Sequence, residues 1–241
     1  LSTFTCITFL FYTVVFIQKI DAYFLLRFLA IQSYNNTRVR LFAHANMQDI
    51  YTDLGEPLVL GALLEMNPPL PQAPINWVAV FALVFLPIVA VIAIPLYAIN
   101  HDFSLAAWIS MFVLLGVSSL GITAGYHRLW AHRAYEATTP LKIILMLMGT
   151  FAVQNSILYW GSGHRTHHRH VDDVEKDPYS INNGFWYAHL GWMLRDYPAA
   201  EPNYKNAPDL QNDKIVMFQH KYYIPLVVVV HAAILLPLGW A

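Results

Sequence analysis

The chain of 241 residues is 57% hydrophobic, 15% aromatic and only 12% charged, with a formal net charge of −1. Ordinary soluble domains carry about 25% charged residues, so this chain has too few to cover a water-facing surface, and near-neutrality excludes the basic face that a nucleic-acid partner calls for. Its one cysteine, Cys6, excludes an intrachain disulfide and a thiolate metal site, so any metal must be held by histidine or carboxylate.

The first 65 residues fit a membrane architecture poorly. Leu1 to Ile17 is apolar and Tyr23 to Ile31 nearly so, with Lys19 and Asp21 between them. Nothing later in the chain needs this stretch, and Met47 or Met66 reads equally well as a start. Residues 1–65 are therefore set apart as an N-terminal extension of uncertain origin, and 66–241 as the domain proper. The chain begins at Leu1 and stops inside an apolar run, so a fragment is expected, incomplete at its C-terminus.

Trp77 to Ile99 is a run of 23 residues without a charge, long enough to cross a hydrocarbon core of about 30 Å. Pro87 and Pro95 within it are tolerated in membrane helices. Leu105 to Ala124 is a second charge-free run, and the short link 100–104 makes the two an antiparallel hairpin. Tyr223 to Trp240 is a third, with His231 as its one ionisable residue. Leu141 to Trp160 is apolar but carries Lys142, Gln154 and Asn155. If it crossed, the histidines on either side of it would lie on opposite faces of the bilayer, so it reads as an interfacial or cap helix. The fold class is thus all-α and polytopic, with three membrane helices under a helical cap. Ten of the fourteen basic residues lie from Arg128 to Lys221 and none in the 100–104 link, which puts the cap on the cytoplasmic side.

Seven of the eleven histidines fall between His127 and His189. His127 and His132 have an H-x4-H spacing; His164, His167 and His168 an H-x2-H-H spacing. On an α-helix residues i, i+3 and i+4 share a face, so His164, His167 and His168 are expected to converge. An i, i+5 pair is splayed by about 140° at 100° per residue, so His127 and His132 are expected to reach different metals or to bracket a helix end. His170 points off the face and is not counted; His44, His101, His220 and His231 read as ordinary polar residues. Five clustered imidazoles exceed what one four-coordinate zinc takes, which favours two metals. No glutamate has a histidine three residues later, so the carboxylate-rich pattern of soluble di-iron bundles is missing.

The string Gly121-Ile122-Thr123-Ala124-Gly125-Tyr126-His127-Arg128-Leu129-Trp130-Ala131-His132-Arg133 resembles the first histidine box of the acyl-CoA Δ9 (stearoyl-CoA type) membrane desaturases. Trp160 to His168, Asp177-Pro178, the block Gly184 to Trp192, and Lys214 to Tyr223 are similar to further family segments, so the resemblance runs from about Trp77 to Ala241. Val171 to Ser180 has a bacterial rather than animal cast. The resemblance implies four membrane helices and a cytoplasmic cap around two non-haem irons, which use O2 to place a cis double bond in a saturated acyl chain. It implies electrons from cytochrome b5 or a ferredoxin-type donor, and an acyl-CoA substrate. Carried over position by position, it makes His127, His132, His164, His167 and His168 ligands, places Gln154 and Trp160 along the acyl tunnel, and puts Asn155 and Arg195 near the headgroup. The family's third histidine box and fourth membrane helix are expected beyond Ala241.

Ser162 and Gly163 stand where acyl-CoA enzymes often carry Arg-Asp. That substitution keeps a lipid-esterified acyl chain open as substrate, while the retained Arg195, with Arg165 and Arg169 close in sequence, offers a compensating phosphate site for acyl-CoA. Related di-iron hydroxylases share the boxes. A histidine-lined metal transporter is the non-enzyme alternative, but it would need ionisable residues inside the spans, and the first two spans have none.

Overall fold

A computed structural model describes residues 73–240. The extension at residues 1–65 lies outside the described residues. Those described are helical, apart from turns and one isolated antiparallel bridge between Ile75 and Arg195.

Helix α1 spans Trp77–Ala98, 22 residues, or about 33 Å at 1.5 Å per residue. Asn76 caps it, its side chain accepting from the Ala79 amide at 2.9 Å. Just before Pro87 the helix widens into a π turn, Phe81–Phe85. Proline has no amide hydrogen to give and its ring presses on the carbonyl one turn back, a common cause of such local widening. Ser104 caps α2, Leu105–Ala131, after the short link. Large apolar side chains on both helices are exposed, among them Phe85, Val91, Ile109 and Phe112, as expected of helices solvated by lipid. Among the described residues these two helices are long and apolar enough to cross a membrane. After two short helices, Phe185–His189 (α5) and Pro208–Asn212 (α6), a third candidate is a pair, Lys214–Lys221 (α7) and Tyr223–Leu238 (the body of α8, Tyr223–Trp240), bent by 86°.

The stretch Leu141–Trp160 is two helices rather than one. Helix α3, Thr139–Phe151, is 13 residues long, about 20 Å and too short to span. Its partner α4 runs Ile157–Arg169. Between them Val153 and Asn155 take left-handed conformations (φ 52° and 72°), which Asn tolerates better than most residues. Ser156 then caps α4, accepting from the Tyr159 amide. The break coincides with the polar Gln154-Asn155-Ser156, between the apolar stretches that end at Val153 and resume at Ile157. The expectation that the stretch does not cross stands. Helix α3 also packs on α2, α7 and α8, so it belongs to the bundle as much as to the cap.

Helices α2 and α3 meet where a Cβ on Gly121 would overlap the Gly149 backbone and one on Gly149 would overlap the Tyr126 ring. Tyr126, Leu129, Trp130, Leu145, Met146, Ile157, Leu158, Leu210 and Val216 form the buried core beneath the site; a side chain of this size contributes about 1.5–3 kcal/mol when buried. Gly149→Ala should therefore lower stability by about 1–3 kcal/mol, the usual cost of overpacking, read as a fall in thermal midpoint in detergent. An unchanged midpoint would mean that the helices are free to move apart.

The start of α1 is tied to the cap. The Asn76 amide donates to Leu194 O at 3.0 Å and the Asp196 amide to Pro74 O at 3.0 Å. The Asn76 side-chain amide donates to Asp196 at 2.9 Å. One end of the first span thus lies beside residues 194–196, and the 100–104 link lies a full helix length away.

Candidate metal centre

The last 11 residues of α2, Gly121–Ala131, are π-helix, and His132 caps it. A π turn closes on i+5, and the His132 amide donates to His127 O at 2.9 Å. The 140° splay of an α-helix therefore does not apply. The two rings lie 4.4 Å apart, so the wide splay expected of them is not found and both can face one ion. The alternative, that they bracket a helix end, agrees with the cap.

Helix α4 brings His164 and His168 against them. His164 Nε2 lies 3.0 Å from His132 Nε2 and 3.1 Å from His168 Nε2, and its ring centre is 4.7 Å from that of His127. The ligand atoms of His127, His132, His164 and His168 all fall within 4.8 Å of one another. Two imidazole nitrogens on one ion, at about 2.1 Å each, can be at most about 4.2 Å apart. The four rings thus fit a metal ion after small adjustments. Burial, then the neighbouring His127 and His168, push the His164 pKa down to about 2. His168 is lowered likewise, first by burial and then by His132 and His167. Rings held neutral are the form that binds metal.

His167 does not join this group. Its Nδ1–H donates to Asp177 Oδ1 at 2.8 Å, and its ring lies 4.3 Å from that of Tyr179. The shared helical face is real for His164 and His168, while the buried carboxylate draws His167 aside. Asp177 is fully buried and also accepts from the amides of Asp172 and Tyr179. A carboxylate on one ring nitrogen fixes the tautomer and leaves Nε2 as the lone-pair donor, the usual support for a metal-ligating histidine. Sequence spacing does not reveal Asp177, because a loop folds it back over ten residues. His170 caps α4 through its backbone and is outside the group.

Trp160 borders the centre: its ring stacks on His164 at 4.7 Å and meets His127 and Tyr126 edge-on at 6.1 Å. Gln154 and Asn155 sit in the break between α3 and α4. The Asn155 carbonyl accepts from Tyr126 OH at 3.1 Å and its amide donates to Tyr223 OH at 2.9 Å. Arg195 is at the bridge to the start of α1, donating to Ala73 O at 2.6 Å. Arg165, expected as a phosphate contact, is engaged elsewhere, as is Ser162. Ser162 is fully buried and donates to Asn206 at 2.9 Å. Arg165 is an internal brace: it grips Asp209 with both terminal nitrogens (2.6 and 2.8 Å) and donates to the carbonyls of Trp130, Ala131 and Asn206. Neither has a free group for a phosphate.

Helices long and apolar enough to cross a membrane and a histidine-only cluster that could hold a metal ion define a membrane protein of histidine-box type. The family described as "Fatty acid desaturase" matches residues 103–241, and the chain belongs to that family. It is 39% identical over 155 residues to a probable acyl-CoA desaturase of Schizosaccharomyces pombe, covering 63% of this chain and 31% of that protein. It is 46% identical over 129 residues to an acyl-CoA Delta-9 desaturase of Acheta domesticus (52% and 36%), and 42% identical over 121 residues to a stearoyl-CoA desaturase of Bos taurus (49% and 33%). The chain spans about a third of the length of these three relatives.

Proposed function

We propose that the protein carries the membrane hairpin and the first two histidine boxes of an O2-dependent acyl-CoA desaturase, acting at the Δ9 position of a saturated chain. The observation that carries this reading is the convergence of four imidazoles from two helices in a chain of this family. With His167 beside them there are five, more than one four-coordinate ion takes, and two irons are the reading they support. Bound iron would supply O2 activation. The reaction balances as one saturated –CH2–CH2– unit, one O2, two electrons and two protons giving a cis –CH=CH– unit and two waters. The electrons come from cytochrome b5 or a ferredoxin-type donor.

The chain's own residues have separate tasks. His127, His132, His164 and His168 would hold one ion, and His167, oriented by Asp177, would face the second. Trp160, stacked on His164, presents an apolar surface at the cluster edge, and we assign it and the nearby Gln154 to aligning the acyl chain and excluding water. Asn155 and Arg195 are assigned to the headgroup side. Residues 66–241 would form this domain, embedded in the membrane with its histidines on the cytoplasmic side. Single cysteines at positions 136 and 173 should then label from the cytoplasm and one at 102 from the opposite side. Labelling of 136 and 173 from different sides would defeat the shared centre.

A second reading is favoured by one finding. Arg165 is engaged with Asp209, so this guanidinium is not available to the phosphates of coenzyme A, which usually bind Arg or Lys. A chain esterified in a membrane lipid would need fewer such contacts. The test is an assay of the full-length protein in membranes with labelled stearoyl-CoA and, separately, with labelled stearoyl phospholipid, acyl transfer being blocked in both. Labelled oleoyl-CoA supports the first reading; label found as oleate only within phospholipid supports the second; no unsaturated product from either source contradicts both.

A further inference from the structure

Gln219, on α7, is fully buried and remote in sequence from both histidine pairs. Its carbonyl oxygen accepts from the Ile157 amide at 2.9 Å, at the first residue of α4. Its amide nitrogen donates to Tyr126 OH at 2.6 Å and to Thr150 Oγ1 at 3.1 Å. Tyr126 OH in turn donates to Asn155 O at 3.1 Å. Three elements therefore meet on one side-chain amide: α2 at the residue before His127, α3 near its end, and α4 at its start. The Tyr126 ring, held by this bond, also lies edge-on to Trp160, which stacks on His164.

A fully buried amide with both ends engaged fixes geometry, because losing one partner leaves a desolvated polar group behind. The break at residues 152–156 has two left-handed residues, and such a turn holds its shape only when its surroundings determine it. Gln219 and Tyr126 supply bonds to both sides of that break. The direction in which α4 leaves it decides whether His164 and His168 reach His127 and His132.

We infer that Gln219 is a positioning residue of the histidine centre, locking the π-helical end of α2 to the start of α4 through Tyr126 and the Ile157 amide. The inference rests on the reading that the four histidines hold a metal, and the experiment separates the two. The 241-residue chain in detergent is compared with Gln219→Leu, Tyr126→Phe, the double variant and Leu235→Ala, a core truncation in the other cluster. Co(II) is titrated by its visible spectrum, and amide hydrogen exchange is followed by mass spectrometry. Gln219→Leu and Tyr126→Phe should each weaken Co(II) binding by about 10–100-fold, the range for residues that orient ligands. The double variant should lose little more than either single one. Leu235→Ala should lower the melting temperature and leave Co(II) affinity alone. Without metal, both single variants should speed exchange in residues 127–132 and 157–164. Faster exchange confined to 214–222, a Gln219→Leu affinity equal to the parent's, or a fully additive double variant would overturn the inference. If the parent chain binds no Co(II), the metal reading fails, and the exchange data still decide whether Gln219 couples the two helices.

Discussion

His164→Ala should lower metal affinity by at least about 100-fold, the upper end of what even an orienting residue is worth, and give the largest loss of any single change. His164 is the centre of the cluster. Its Nε2 is within 3.1 Å of the ring nitrogens of both His132 and His168, and its ring touches those of His127 and Trp160. Removing it takes away one donor and leaves its neighbours without the partner that holds their rings in place. His127→Ala should approach this loss. His170→Ala, which changes a ring outside the group, should stay within about twofold, as for surface substitutions. Co(II) titration of the three variants checks this. Equal losses for His170→Ala and His164→Ala would mean that the group of four is wrongly drawn.

Arg165→Leu should destabilise the fold by about 2–4 kcal/mol, somewhat below the range for breaking a fully buried ion pair because the Asp209 side chain is 30% exposed. The change strands Asp209, whose pKa the hydrogen bonds from Arg165 hold below the usual carboxylate range. It also frees the carbonyls of Trp130 and Ala131, which lead directly into His132. For a chain of this size the loss corresponds to a drop of roughly 5–15 °C in melting temperature. Arg165→Lys should rescue little, because an ammonium group cannot reproduce a two-pronged grip on a carboxylate while reaching three carbonyls. A shift of under about 1 kcal/mol would reduce Arg165 to an ordinary surface ion pair.

The parts legible in the sequence were those written in local pattern. A charge-free run from Trp77 to Ile99 became helix Trp77–Ala98, and the second run became helix Leu105–Ala131, with the 100–104 link non-helical between them. The spacing of His164 and His168 placed them together, because one α-helical turn does so wherever it occurs. What escaped depends on backbone geometry or distant partners. Counting 100° per residue cannot show that Gly121–Ala131 winds as a π-helix, and that winding brings His127 and His132 together. The break at Val153 to Ser156 is marked only by the short polar run Gln154-Asn155-Ser156, which the apolar residues on either side outweighed. Asp177 and Gln219 act through folds of the chain that no spacing encodes. Arg165 looked like a free cation because it stands between histidines, yet its partner Asp209 lies 44 residues on.

One metal centre formed by these four histidines is the proposal on which the other expectations rest. X-ray absorption at the iron edge, on the Fe(II)-loaded chain and on His164→Ala, tests it most directly. A first shell dominated by nitrogen is expected, with the outer-shell scattering of several imidazole rings, and its loss in His164→Ala. Iron held in an oxygen shell without imidazole scattering, or a spectrum that His164→Ala leaves unchanged, would contradict it.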